Sequence, residues 1–145
     1  MTEKQVGHVL QKHKEWVNNG SGKKADLRGA SLRHINLEGA DLRGADLRAA
    51  DLSNAKLNYA DFRNADLRGA NLTHASCVGA KFVNARLEGC NLHGVDLREA
   101  AMEFADLKGA SLSYRFQQML KGKGGKVQEQ SAEQPEHQRD FEHEM

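Results

Sequence analysis

With 145 residues, 39% of them apolar, and 21 Lys+Arg against 20 Asp+Glu, the chain has material for one modest domain with a thin core and too little for two. A net charge of +1 excludes any whole-chain argument for nucleic-acid binding or for an acidic decoy surface. No apolar run approaches the roughly 18 residues a membrane helix needs. The start, Met1-Thr-Glu-Lys-Gln-Val-Gly-His, lacks the apolar stretch of a secretory signal, so a cytoplasmic location without a membrane partner is expected.

Residues 1–24 carry five Lys against two acids (+3). Within them Val6, Val9, Leu10, His13, Trp16 and Val17 recur at helical spacing, and Asn19-Gly20-Ser21-Gly22 follows as a stop. The spacing predicts a helix over 3–18, so that 1–24 form an N-terminal capping helix and linker.

From Ala25 to Tyr114 the chain divides without a gap into 18 five-residue units of the form Ala-(Asp/Asn)-Leu-x-x. The central position is Leu in 14 units and Phe62, Cys77, Phe82 or Met102 in the others; the position two before it is Ala in 15 units and Ile35, Cys90 or Val95 in three. Neither is ever polar. Two inward positions separated by one polar residue have the spacing of a strand, but the restart after five residues fits neither a long strand nor a 3.6-residue helix. A corner must close each short strand. The last position of the unit supplies it, often as Gly (Gly29, Gly39, Gly44, Gly69) or Asn (Asn54, Asn64, Asn84), which tolerate tight turns.

This unit resembles the pentapeptide-repeat family over 90 uninterrupted residues. The resemblance implies an all-β solenoid: a right-handed, four-sided parallel β-helix with one unit per side and 20 residues per coil, here four and a half coils. At about 4.8 Å per coil the rod would be roughly 22 Å long plus its caps. His13-x-x-Trp16, just before the repeats, resembles leaders of other family members and is expected to cover the first coil. Every twentieth residue offers a separate check on the period. The column Asp26, Asp46, Asp66, Arg86, Asp106 and the column Arg28, Arg48, Arg68, Glu88, Lys108 reverse sign in the same coil, as in-register stacking would favour. These charges read as a solvated ladder that keeps the rod soluble.

Beyond the repeats, Phe116, Met119 and Leu120 form an i, i+3, i+4 stripe in a short helix expected over 115–120. They cap the last coil or, as the resemblance implies for some members, form the seam of a homodimer through the C-terminal end. Residues 121–145 contain the one proline and mostly polar and charged residues, and are expected to be a disordered charged tail.

The sequence carries little chemistry. Cys77 and Cys90 fall on inward positions and read as reduced core residues. His74 and His93 would lie one coil apart, but two imidazoles without a carboxylate or thiolate partner make a poor metal site. No nucleophile motif, phosphate loop or carboxylate in an apolar pocket is present. The chain reads as a non-enzyme without metal or cofactor.

Function then falls to the outward positions. Tyr59, Val78, Val83, Ala101 and Phe104 map to the third and fourth sides, where other coils show charged or polar residues, and form a candidate partner-binding surface. The expectation is a rigid, non-catalytic module that docks an unidentified protein. The alternative comes from the resemblance: some members act on type II topoisomerases, DNA gyrase especially, by imitating DNA. This repeat region departs from that pattern, with 11 basic against 12 acidic residues and no inserted loop. Direct contact with nucleic acid is not expected, apart from a minor alternative through the amino-terminal lysines.

Overall fold

The computed structural model describes residues 1–113 and 116–118. Parallel single-residue bridges link each unit to the one 20 residues later, from Asp26↔Asp46 through Asp66↔Arg86 and Arg86↔Asp106 to Asn91↔Ser111. The chain therefore winds as a four-sided, right-handed β-helix. We number the sides from residues 25, 30, 35 and 40 of the first coil. Each side contributes only one bridged residue per coil, too short for a conventional strand, because a turn follows at once.

The turn has a consistent cause. In the first unit Ala30 N–H donates to the Leu27 carbonyl (3.1 Å), closing a β-turn, while Leu27 N–H and Gly29 N–H donate to Asp46 and Arg48 carbonyls of the next coil (2.7 and 2.9 Å). The third turn residue takes positive φ throughout, as a type II turn requires. Where the sequence offers glycine this is inexpensive. It is imposed on Ala49, Tyr59, Glu99 and Phe104 as well, all at φ of 60–62°, so the lattice overrides residue preference at a cost of roughly 1–2 kcal/mol each.

All 18 central positions are buried, from Leu27 to Leu112. The alanine column is buried too, except at Ala30 and Ala40 in the first coil, which are only partly covered because no coil precedes them. On side 4 Phe62 and Phe82 stack nearly parallel with centroids 5.0 Å apart, the coil spacing repeated in the core. Cys77 and Cys90 are free, buried thiols, and burial pushes both up to about 12, which makes them unreactive core residues.

The helix expected over 3–18 is α1, Glu3–Asn19. It begins with a capping box in which Thr2 accepts from Gln5 N–H and the Gln5 side chain accepts from Thr2 N–H. It runs one residue further than expected because the left-handed residue is Gly20, whose N–H closes on the Trp16 carbonyl (3.0 Å). Val6 and His13 are buried against the first coil. His13 is completely buried: its Nδ1 accepts the Ala25 N–H (3.0 Å), and its ring stacks on Trp16 at 5.4 Å. An acceptor at Nδ1 fixes the neutral tautomer with its proton on Nε2. Burial accordingly holds His13 below its ordinary 6.5. Trp16 reaches the corner at Gly44, where a Cβ would lie 3.2 Å from its ring. At the other end Phe116 packs against the core in a helical turn at 116–118. Met119, Leu120 and the expected tail over 121–145 lie outside the described residues.

Candidate functional site

The outward positions form two kinds of wall. On sides 1 and 4 the residue before the central Leu is Asp and the residue after it Arg in most units. Each carboxylate does two things. It accepts the backbone N–H two residues on, as Asp41 does from Arg43 and Asp46 from Arg48, satisfying a donor that faces outward. It also holds the guanidinium of that residue through paired contacts of 2.6–2.9 Å in Asp26–Arg28, Asp41–Arg43, Asp46–Arg48 and Asp66–Arg68. The Arg28 guanidinium holds Asp26 down to about 2, and Asp41, Asp46 and Asp66 are lowered for the same reason. Contacts between coils are longer, at 3.8 Å for Arg28–Asp46 and Arg48–Asp66. The ladder is thus built chiefly within units. In the fourth coil the order is exchanged and Arg86 meets Glu88 at 3.4 Å. Such walls present self-neutralised charge rather than an acidic field.

Side 3 differs. Asn36, Lys56 and Ser76 stand where sides 1 and 4 begin with Asp, and only Asp96 repeats the pairing, with Arg98. Asn58 takes over the turn-capping role across coils, its Oδ1 accepting from Val78 N–H (2.9 Å) and Ser76 hydroxyl (2.6 Å). Tyr59 N–H donates to the Val78 carbonyl (2.9 Å), which puts these two predicted residues side by side. The Tyr59 ring lies over Gly79, so close that a Cβ there would come within 2.5 Å of it. His74 covers Gly94 in the same manner on side 2, and meets His93 edge to face at 6.0 Å. No group of three or more His, Cys, Asp or Glu among the described residues is placed to hold a metal ion.

Of the predicted partner surface, Tyr59 and Phe104 are 61% and 64% exposed, while Val78, Val83 and Ala101 are half-buried. Tyr59 and Val78 adjoin on side 3. Val83, Ala101 and Phe104 lie on side 4 in coils three and four, with Ala101 bridged to Lys81. Both exposed aromatics stand on corners at positive φ. Sequence reasoning missed that coincidence, although counting by fives from Gly29 reaches both residues. It also missed the basic cleft between α1 and the first coil, to which Lys12, Lys23 and Lys24 contribute.

Among known proteins, the family model for pentapeptide repeats matches residues 23–58, 45–76 and 75–113. A pentapeptide repeat protein from the Arabidopsis thaliana thylakoid lumen is 28% identical, with a TM-score of 0.43 over 75% of this chain and 84% of its own. Rfr23 from the cyanobacterium Cyanothece 51142 is 35% identical, with a TM-score of 0.35 over 65% of this chain and 64% of its own. The plasmid-mediated fluoroquinolone resistance protein QnrB1 is 23% identical, with a TM-score of 0.30 over 61% of this chain and 46% of its own. No curated protein matches. No helix among the described residues is long and apolar enough to cross a membrane.

Proposed function

The chain belongs to the pentapeptide-repeat family, whose members are generally non-catalytic, and from that premise we propose that it is a protein-interaction module presenting a rigid wall to a protein partner. The observation that carries this reading is the placement of Tyr59 and Phe104. Each is a large aromatic held in left-handed backbone geometry and more than half exposed. Neither its backbone nor solvent favours an aromatic there, and strained, exposed positions concentrate at functional contacts. With Val78, Val83 and Ala101 they supply aromatic and aliphatic surface on sides 3 and 4 of a rod whose other outward residues are mostly polar or charged. Free, buried thiols suit the reducing cytoplasm.

The test is affinity capture from host lysate with wild type and a Tyr59→Ser, Phe104→Ser double variant of unchanged melting temperature. A protein held by wild type and lost by the variant supports the surface; equal recovery by both removes it. A gyrase supercoiling assay tests the alternative, modulation of a type II topoisomerase. The self-neutralised Asp–Arg walls lead us to expect no inhibition, and inhibition at stoichiometric concentration would favour that alternative.

A further inference from the structure

On side 4 the charged ladder changes character between the second and third coils. In the first two coils Asp41 pairs with Arg43 and Asp61 with Arg63 along their own units, at 2.7 and 2.6 Å. In the third and fourth coils the same positions are Lys81, Val83, Ala101 and Glu103. Ala101 is bridged to Lys81, and Asn84 N–H donates to the Glu103 carbonyl (3.0 Å), which sets Glu103 beside Val83 one coil on. Phe82 and Met102, between them in the chain, are buried. The outward side chains therefore mark the corners of a rectangle, about 6.6 Å along the unit and about 4.8 Å between coils. One diagonal, Val83 to Ala101, is apolar and half-buried; the other, Lys81 to Glu103, is exposed and carries opposite charges. Among the described residues neither Lys81 nor Glu103 is in an ion pair. Lys81 stands over Asp61, but that carboxylate is held by Arg63.

Such a pattern is complementary to itself. A two-fold axis lying in the face, along the Val83–Ala101 diagonal, brings a second rod face to face with the first. It sets each apolar residue against its own copy and exchanges the ends of the charged diagonal, so that Lys81 meets the partner's Glu103 and Glu103 meets the partner's Lys81. We propose that a second copy of this chain docks crosswise on side 4, through two reciprocal ion pairs about an apolar centre. The proposal rests on the reading of this wall as an interaction surface and names its partner. Phe104, 64% exposed, follows Glu103 at the corner and flanks the same contact. A net charge of +1 sets little long-range repulsion against self-association. One side of a rod roughly 22 Å long offers less than the about 800 Å² per partner of a standard complex, so the dimer is weak, with a Kd on the order of 100 μM.

Sedimentation velocity of the full chain from about 5 to about 500 μM tests this. Wild type should move from monomer toward dimer across that range. Lys81→Glu and Glu103→Lys, each with unchanged circular dichroism and melting temperature, place like charges at both contacts and should weaken association at least about tenfold. Their equimolar mixture should return the dimer to about the wild-type level, because every contact between the two variants again joins opposite charges. That dimer should fade in about 0.5 M salt. A wild type that stays monomeric throughout, a dimer that both single variants leave unchanged, or a mixture that stays dissociated would overturn the inference. Lysate capture separates it from the wider reading. A monomeric chain that recovers a different protein, lost with Tyr59→Ser and Phe104→Ser, removes the second copy and keeps the interaction wall; a monomeric chain that recovers nothing removes both.

Discussion

The amino-terminal end and the repeated walls of this rod solve the same problem, an outward or exposed backbone donor, by opposite means. On the walls the answer is generic: an Asp or Asn one place before the centre accepts the N–H two residues on, unit after unit. At the end it is singular: one buried imidazole accepts the Ala25 N–H that no preceding turn can take. Repetition makes the wall tolerant, since Asn58 can substitute for a missing carboxylate from the coil before. The cap has no such substitute. Solenoids are held by nearest-neighbour interfaces, so the two regions should respond differently to perturbation.

The harshest break is in the interior. Leu67→Asp places a carboxylate in a completely buried column, forfeiting about 2–3 kcal/mol of apolar transfer and adding the cost of an unpaired buried charge. Loss of the cooperative thermal transition is expected in circular dichroism, and a wild-type melt would contradict the inward assignment. Next is Gly79→Ala, which meets both the positive φ and the Tyr59 ring, and should lose about 2–3 kcal/mol by urea denaturation. Gly69→Ala meets the backbone penalty alone, with nothing within 4 Å of the new carbon, and should lose about 1–2 kcal/mol. Adding Tyr59→Ala to Gly79→Ala should bring that cost down to the Gly69 value, a coupling a double-mutant cycle measures directly. Ala49→Gly works in the opposite direction, relieving an L-residue at φ 60° on an exposed corner. It should raise stability by about 0.5–1 kcal/mol.

Acid separates the two regions most finely, because each group contributes little. His13 is neutral and lowered in the folded chain, so as pH falls below 6.5 the unfolded state takes up the proton first and the cap weakens. The wall carboxylates are lowered too, Asp26 to about 2. Their stabilisation is complete above the ordinary carboxylate value near 3.8 and is lost as pH falls from there toward 2. Trp16 fluorescence, which reports the cap, should change in the first window, and the far-ultraviolet signal of the rod only in the second. A single transition shared by both probes would show that the cap and wall titrate together.

Much of this was legible in the residues alone. The 20-residue column that reverses sign at Arg86 is bridged as the count required, and the never-polar positions are the core. The capping box at Thr2 and Gln5 is a written signal that went unread. Other features are illegible for physical reasons. Whether Asp46 reaches Arg48 in its own unit or Arg28 in the coil before depends on rotamers, and both pairings satisfy the same column pattern. That the Tyr59 ring leans onto Gly79 likewise depends on side-chain direction at a corner, which spacing does not encode. The basic cleft needs the docking of α1, brought about by Gly22 and a backbone hydrogen bond.

The bridges every 20 residues have an evolutionary consequence. Because each unit is one side, deleting or inserting five residues leaves every inward position inward but turns all that follows by a quarter revolution about the rod. Excising four units removes a storey and restores the original azimuth. A lineage of such chains can therefore re-aim a surface residue such as Phe104 by slippage of fifteen nucleotides, without redesigning any contact beneath it.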